Sequence, residues 1–281
     1  MAATAIKPEI FDIPCVDGLM IRGEVYSAEP SLGAVVICHG FKGFAHWAFF
    51  PHLARVLAEN GLTALTFDFS GSGVGRDRES FTETEAFGTN TFSRELEDLE
   101  LIEDYARRRK WITGKFGLFG HSRGGGMAIL FAAAEGSNVN SLVTWAAISY
   151  PGRWSPEDVL TWRKRGYAEV TNSRTGQVMR LGTDLLDDVE LHGKTKLNIE
   201  TAAGKIRVPW LIVHGTGDET VPSSEAEHLH SLSRGVSTLR LIEGANHGFD
   251  AKHPLNDVPT ALKQVVQETV NFFVRNAAAQ K

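Results

Sequence analysis

Cysteine is nearly absent, and its scarcity narrows the field first. The 281 residues hold two cysteines, Cys15 and Cys38, too few for a disulfide framework and without the CxxC or histidine-rich surroundings of a metal site. Cys38, inside AVVICHG, reads as a small buried hydrophobe. No apolar run approaches the roughly 20 residues of a membrane span, and MAATAIKPEI lacks both the basic region and the apolar stretch of a secretion leader. The expectation is a cytoplasmic chain without membrane contact. A formal net charge of -5 gives no electrostatic case for nucleic acid. A P-loop and an HExxH helix are missing too, so neither a metal nor a cofactor is implied.

What is present is a rhythm of apolar β-type runs alternating with amphipathic helical stretches, the pattern of a mostly parallel sheet covered on both faces. The spacing predicts six core strands: AVVICHG, LTALTFDF, KFGLFG, SLVTWAAIS, VPWLIVHG and STLRLIEG. LMIRGEVY, ahead of them, alternates like part of an antiparallel edge. Helices are expected over FFPHLARVLAENG, with Gly61 just past its end, over TFSRELEDLELIEDYARRR with Phe92, Leu96, Leu99, Ile102 and Ala106 on one face, after Ser122, from an N-cap at Ser223, and from Val258 to Asn276. Residues 151–205 break the rhythm. They are read as an inserted cap between core segments 1–150 and 206–281, with a hairpin in YAEVTNSRTGQVMRL and a short helix in DLLDDVELH.

The chemistry begins at Gly120-His121-Ser122-Arg123-Gly124, a G-x-S-x-G placed between a predicted strand and a predicted helix. A serine on so sharp a turn needs neighbours without side chains, which the glycines supply. Its hydroxyl becomes a nucleophile only with a base in reach and a carboxylate to orient that base. Of ten histidines, His247 in EGANHGF follows the last core strand on a loop, with His253 as the near rival. Asp218 in HGTGDETVP follows the preceding strand, with Glu219 as the adjacent alternative. Ser122, Asp218 and His247 therefore run in the order serine, acid, histidine. The glycines of DFSGSGVG resemble a dinucleotide fingerprint, but no helix opens behind them and no acidic residue ends a following strand.

On these motifs the chain resembles the α/β-hydrolase superfamily from about Leu19 to Asn276, and its inserted cap resembles that of the cinnamoyl or feruloyl esterase-like and serine aminopeptidase S33-like members. The resemblance implies an α/β-hydrolase fold and an oxyanion hole made of the backbone N–H groups of Phe41, which follows His39-Gly40, and of Arg123, whose side chain is given no role. It makes His39 a hydrogen-bonding residue of that loop, and DFSGSGVG the loop after the second parallel strand. HGFKGF departs from the HGGG form of the hormone-sensitive-lipase group.

The expected function is a serine esterase that cleaves small to medium acyl or aryl esters through an acyl-enzyme, with a small-molecule ester as partner and a homodimer left open. Trp154, Trp162 and Tyr167 of the cap are the candidate substrate-binding residues, because such pockets are mostly apolar. Ester, thioester and amide hydrolysis would use the same residues. An S33-like peptidase would want carboxylates at the entrance, which Asp184, Asp187, Asp188 and Glu190 offer. A catalytically inactive fold used for binding is the reading from a different class.

Overall fold

The computed structural model describes residues 6–172 and 174–278. The leader-type reading of the first ten residues therefore falls in part outside the described residues, as does Ser173 in the expected hairpin turn. In chain order the elements are β1 (Glu9–Pro14), β2 (Met20–Tyr26), β3 (Gly33–Cys38), α1 (Phe49–Glu59), β4 (Leu62–Asp68), α2 (Thr84–Gly88), α3 (Phe92–Arg108), β5 (Phe116–His121), α4 (Arg123–Ala132), β6 (Val139–Trp145), α5 (Pro156–Arg165), β7 (Tyr167–Thr171), β8 (Val178–Gly182), α6 (Asp184–His192), α7 (Ile199–Ala203), β9 (Trp210–Gly215), α8 (Ser223–Leu232), β10 (Ser237–Ile242) and α9 (Thr260–Ala278).

An eight-stranded sheet runs in the order β1-β2-β4-β3-β5-β6-β9-β10. All neighbours from β4 to β10 pair in parallel, and β2 pairs antiparallel with β4 and β1. The expected core strands are β3, β4, β5, β6, β9 and β10, and LMIRGEVY supplies β2. Strand β1 lies beyond the sequence reading. In EIFDIP only Phe11 and Ile13 are buried while Ile10 is exposed, so one face alone carries the signal.

Side chains of alternate parity feed two cores, because successive strand residues point to opposite faces. Val36, Cys38, Leu118, Leu142 and Ile212 join Leu99 and Ile102 of α3, Ile129 of α4, Ile199 of α7 and Leu229 of α8. Val35, Ile37, Phe119, Val143 and Trp145 join Leu53 and Leu57 of α1 and Val266 and Phe273 of α9. Helices thus cover both faces. At a coefficient of about 25 cal/mol per Å² of apolar surface, this two-sided burial is the main driving force of the fold.

Helix ends follow local chemistry. α1 stops at Asn60, and Gly61 takes the positive φ of 84° that a C′ residue needs. α8 differs from expectation: Ser223 is its first helical residue and Pro222 precedes it, with no side-chain cap. On α3 the buried face includes Glu95 and Asp98, whereas Leu96 is only partly buried. Residues 151–205 carry α5, the antiparallel β7–β8 hairpin, α6 and α7. The hairpin lies against α2, α6 against α3, and α7 against α4 and α8.

Candidate active site

Strand β5 ends at His121 and α4 begins at Arg123, leaving Ser122 on the turn with φ 56° and ψ -122°. That is a conformation L-residues avoid, of the kind that costs about 1–3 kcal/mol and persists only when the surroundings impose it. They do impose it. The Ser122 N–H donates to the Trp145 carbonyl at 2.9 Å, and its own carbonyl accepts from Gly125, at 3.0 Å, and Ile148, at 3.3 Å. A Cβ on Gly120 would stand 2.2 Å from the Gly124 carbonyl oxygen, and one on Gly124 2.3 Å from that of His39. The strand, the helix and the loop after β3 can approach only because both residues lack side chains.

The loops after β9 and β10 bring the candidate acid and base together. Asp218 Oδ2 lies 2.7 Å from His247 Nδ1, and Oδ1 accepts the N–H groups of Thr220, at 2.8 Å, and Val221, at 2.9 Å. Burial alone would raise the Asp218 carboxyl, but the hydrogen bonds from His214, His247 and Val221 outweigh it and hold the group well below the usual carboxylate range. It stays ionised to orient the imidazole. Glu219 beside it is exposed.

Among the competing histidines, His253 accepts the Ala48 N–H at 3.0 Å through Nδ1 and turns Nε2 toward Glu79 at 3.2 Å. His228 faces Glu200, and His230 faces Ser237. Two histidines that the sequence reading left without a role belong to the site. His121 Nε2–H donates to the His247 carbonyl at 2.9 Å. His214 Nε2–H donates to the Val221 carbonyl at 2.8 Å and lies 3.2 Å from Asp218 Oδ2. Both stand inside quoted motifs, GHSRG and VHGTGD, so the signal was there but not its direction.

The candidate oxyanion-hole residues, Phe41 and Arg123, both line the larger cavity at Ser122. Phe41 lines the cavity that Ser122 enters, and Arg123 opens α4, where backbone N–H groups and the helix dipole favour negative charge. His39 Nε2 accepts the Phe69 N–H at 3.2 Å, which leaves Nδ1 to carry the proton and donate to the Gly40 carbonyl at 2.8 Å. Burial pushes this imidazole down to about 4, so it is neutral. The hydrogen bond fixes the plane of the Gly40–Phe41 peptide, and with it the direction of the Phe41 N–H.

The Arg123 side chain is also engaged. Its guanidinium lies 3.9 Å from the centre of the Phe92 ring and 5.5 Å from that of Phe41, and it pairs with the buried Glu95 at 3.0 Å. Asn90 Nδ2 donates to Glu95 Oε1 at 2.8 Å. The network ties Arg123 to α3 and sets its guanidinium against the Phe41 ring.

Two cavities open at Ser122. The first, of about 650 Å³, is lined by Phe41, Phe92, Ile148, Leu185 and Val221 together with Trp154, Trp162 and Tyr167 from the insertion. Trp154 and Trp162 stand perpendicular with ring centres 5.2 Å apart. The second, of about 460 Å³, contains His247 and His121. The carboxylates of α6 lie elsewhere: Asp188 takes both the N–H and the hydroxyl of Ser93, while Asp187 and Glu190 pair with Arg163. Among the described residues no helix is long and apolar enough to cross a membrane.

Comparison with known proteins gives the fold and the family. The chain is similar in fold to Est1E from Butyrivibrio proteoclasticus, at 21% identity over 96% of this chain and 99% of that one, with a TM-score of 0.71. The ferulic acid complex of Est1E gives 22% identity over 95% and 99%, with a TM-score of 0.73. The α/β hydrolase GrgF from Penicillium sp. sh18 gives 17% identity over 97% and 99%, with a TM-score of 0.75. Among curated relatives, the uncharacterized protein YfhR of Salmonella typhi is 26% identical over 223 residues, 78% of this chain, and the match spans 65% of that protein's length. The family model of serine aminopeptidase S33 matches residues 29–188, more than half of the chain and the part that holds Ser122. The protein, an α/β hydrolase in fold, therefore belongs to the serine aminopeptidase S33 family.

Proposed function

We propose that the protein hydrolyses carboxylic esters with small to medium, largely apolar or aryl acyl groups, through an acyl-enzyme on Ser122. The observation that carries this reading is the position of Ser122: a strained serine at the mouth of an apolar cavity, with His247, already bonded to a buried carboxylate, lining the adjoining one.

In this mechanism His247 Nε2 takes the Ser122 proton as Oγ attacks the ester carbonyl, and the N–H groups of Phe41 and Arg123 hold the oxyanion. The imidazolium then returns its proton to the departing alcohol oxygen. A water molecule repeats the cycle on the acyl-enzyme and releases the acid. Asp218 stabilises the transient imidazolium through Nδ1–H without taking up its proton.

The peptidase reading has less to support it. Of the four carboxylates offered for a free amino terminus, Asp187, Asp188 and Glu190 are bound to Arg163 or Ser93 and Asp184 lines neither cavity at Ser122. Asp158 and Glu169 do line the larger cavity but share it with Arg123, Arg153 and Arg165, and its wall is mostly aromatic and aliphatic. A panel of p-nitrophenyl, aryl-methyl, thioester and aminoacyl-anilide substrates tests the assignment, alongside labelling by a fluorophosphonate. Esters turned over at least about tenfold faster than anilides, with Ser122 labelled, are expected. Preferred anilide cleavage would favour the peptidase, and an unlabelled, inert protein would mean a binding role.

A further inference from the structure

Of the two cavities that meet at Ser122, only the second reaches the candidate base. Phe41, Ser122 and Thr220 line both, whereas among the described residues His247 lines the second alone. A histidine that protonates the departing oxygen has to sit on the leaving-group side. The cavity under Trp154 and Trp162 then takes the acyl group, and the smaller one takes the alcohol.

That smaller cavity has an aromatic floor and a cationic rim. The buried Phe44 and Phe81 and the partly buried Trp47 form the floor, and the exposed Lys42 and Arg174 stand at the edge, with Asn172 also in the lining. Lys42 Nζ donates to the Thr171 carbonyl at 3.1 Å, and Arg174 Nη2 to the Glu79 carbonyl at 3.1 Å. Neutral carbonyls thus hold both heads without cancelling their charge. The Glu79 carboxylate is turned away, toward His46 and His253, at 3.2 Å from each. Among the described residues no carboxylate lines this cavity. The acyl cavity is different: it mixes Asp158 and Glu169 with arginines, and its Arg123 and Arg153 are paired with Glu95 and Glu225. Lys42 also holds a φ of 58°, where glycine or asparagine would be more relaxed, so its side chain is kept at some backbone cost.

We propose that the second cavity is a leaving-group subsite for an alcohol of modest size that carries an anionic group, a carboxylate or a phosphate, recognised by Lys42 and Arg174. The inference rests on the ester-hydrolase reading above and adds the substrate class on the alcohol side. The reaction is unchanged: the acyl–oxygen bond breaks, the alcohol oxygen leaves with the proton from His247, and the remote anion stays ionised throughout.

The test uses butyrate esters of benzyl alcohols carrying a para methyl, carboxylate, phosphate or trimethylammonium group, so that the reacting ester is constant while the remote charge varies. The anionic esters should exceed the methyl ester in kcat/KM by about fivefold to tenfold, the trimethylammonium ester should fall below it, and high salt should compress the series. The carboxylate and phosphate arms identify which anion fits better. In Lys42→Gln/Arg174→Gln the anionic-to-methyl ratio should drop to within about twofold, and Lys42→Glu should turn the preference toward the cation. Both side chains are exposed, so folded variants are expected, and Arg174→Lys should keep most of the ratio. Equal rates across the series, or a preference that survives the double substitution, would overturn the subsite. If the methyl ester is also inert and the fluorophosphonate leaves Ser122 unlabelled, the hydrolase reading fails and the subsite with it.

Discussion

His121 Nε2–H donates to the carbonyl of His247 at 2.9 Å, and the two rings lie 4.7 Å apart. The residue before the candidate nucleophile therefore holds the backbone of the candidate base. Burial, with His247 adding to it, pushes the His121 imidazole down to about 3, so it is a neutral donor at working pH. His121→Phe removes the donor and should lower kcat about tenfold with little change in KM, while slowing fluorophosphonate labelling in parallel. His121→Gln keeps an N–H and should recover much of the rate. Equal losses in both variants would assign the ring a packing role alone.

Ser122→Ala should leave a folded protein with hydrolysis reduced by at least about a thousandfold, as loss of a nucleophile does in serine proteases. The strained backbone makes a second expectation. Ser122→Gly, equally inactive, should melt at a higher temperature than Ser122→Ala, because glycine tolerates φ 56°. Differential scanning calorimetry of the two variants reads this directly, and identical melting would deny any stored strain.

Asp218 and Glu219 are neighbours with different surroundings. Asp218 is buried and takes hydrogen bonds from His247, Thr220 and Val221, with His214 Nε2 3.2 Å from Oδ2, whereas Glu219 faces solvent. Asp218→Asn should cost at least about a hundredfold in kcat, and Glu219→Gln less than about twofold. The reverse ranking would reverse the assignment.

Trp154, Trp162 and Tyr167 line the larger cavity at Ser122, the one proposed to take the acyl group. Each alanine replacement should reorder a panel of acyl and aryl esters by about tenfold to a hundredfold in kcat/KM while an acetate ester loses little. Trp162, only 3% exposed, should also lower Tm, as large-to-small changes in packed sites do. Uniform loss across the panel in all three variants would limit these rings to holding the insertion together.

Two buried carboxyls predict how stability varies with pH. Burial pushes Asp98 up to about 7 and Asp68 up to about 6, against the hydrogen bonds that Ser70 and Ala45 give them. The folded protein thus retains protons that the unfolded chain releases near pH 4, so these groups favour folding least once pH has risen through the folded values. Asp98→Asn should flatten the decline in Tm between about pH 5 and 8. Each kcal/mol relieved near neutrality should raise Tm by about 2–4 °C. A slope unchanged in Asp98→Asn would show that Asp98 is ionised in the fold.

The parallel strands were legible because both of their faces are buried, which makes β3, β5 and β9 nearly continuous apolar runs and leaves β4 interrupted only by Thr63 and Thr66 before Asp68. β1 was not, and neither was α5, whose PEDVLTWRKR buries only Trp162. Its boundaries were nevertheless written in the chain: the Ser155 side chain accepts the Asp158 N–H at 3.1 Å, and Gly166 ends the helix at φ 80°. Of the site, the order of Ser122, Asp218 and His247 could be read from motifs that each sit at a strand end. The pairing of Arg123 with Glu95 could not, since it joins residues far apart in sequence and places two charges on faces that periodicity assigns to apolar side chains.

The long excursion between β6 and β9 leaves and rejoins the sheet at two strands that are hydrogen-bonded to each other. The ladder therefore does not register its length. The outer elements of the excursion, α5 and the β7–β8 hairpin, can be extended, trimmed or exchanged without shifting one rung of the sheet, while α7 stays packed on α4 and α8 and Ser122, Asp218 and His247 hang from strand ends that stay where they are. The architecture is modular in that sense: a chimera carrying a relative's excursion should take on that relative's acyl preference and keep its own reaction.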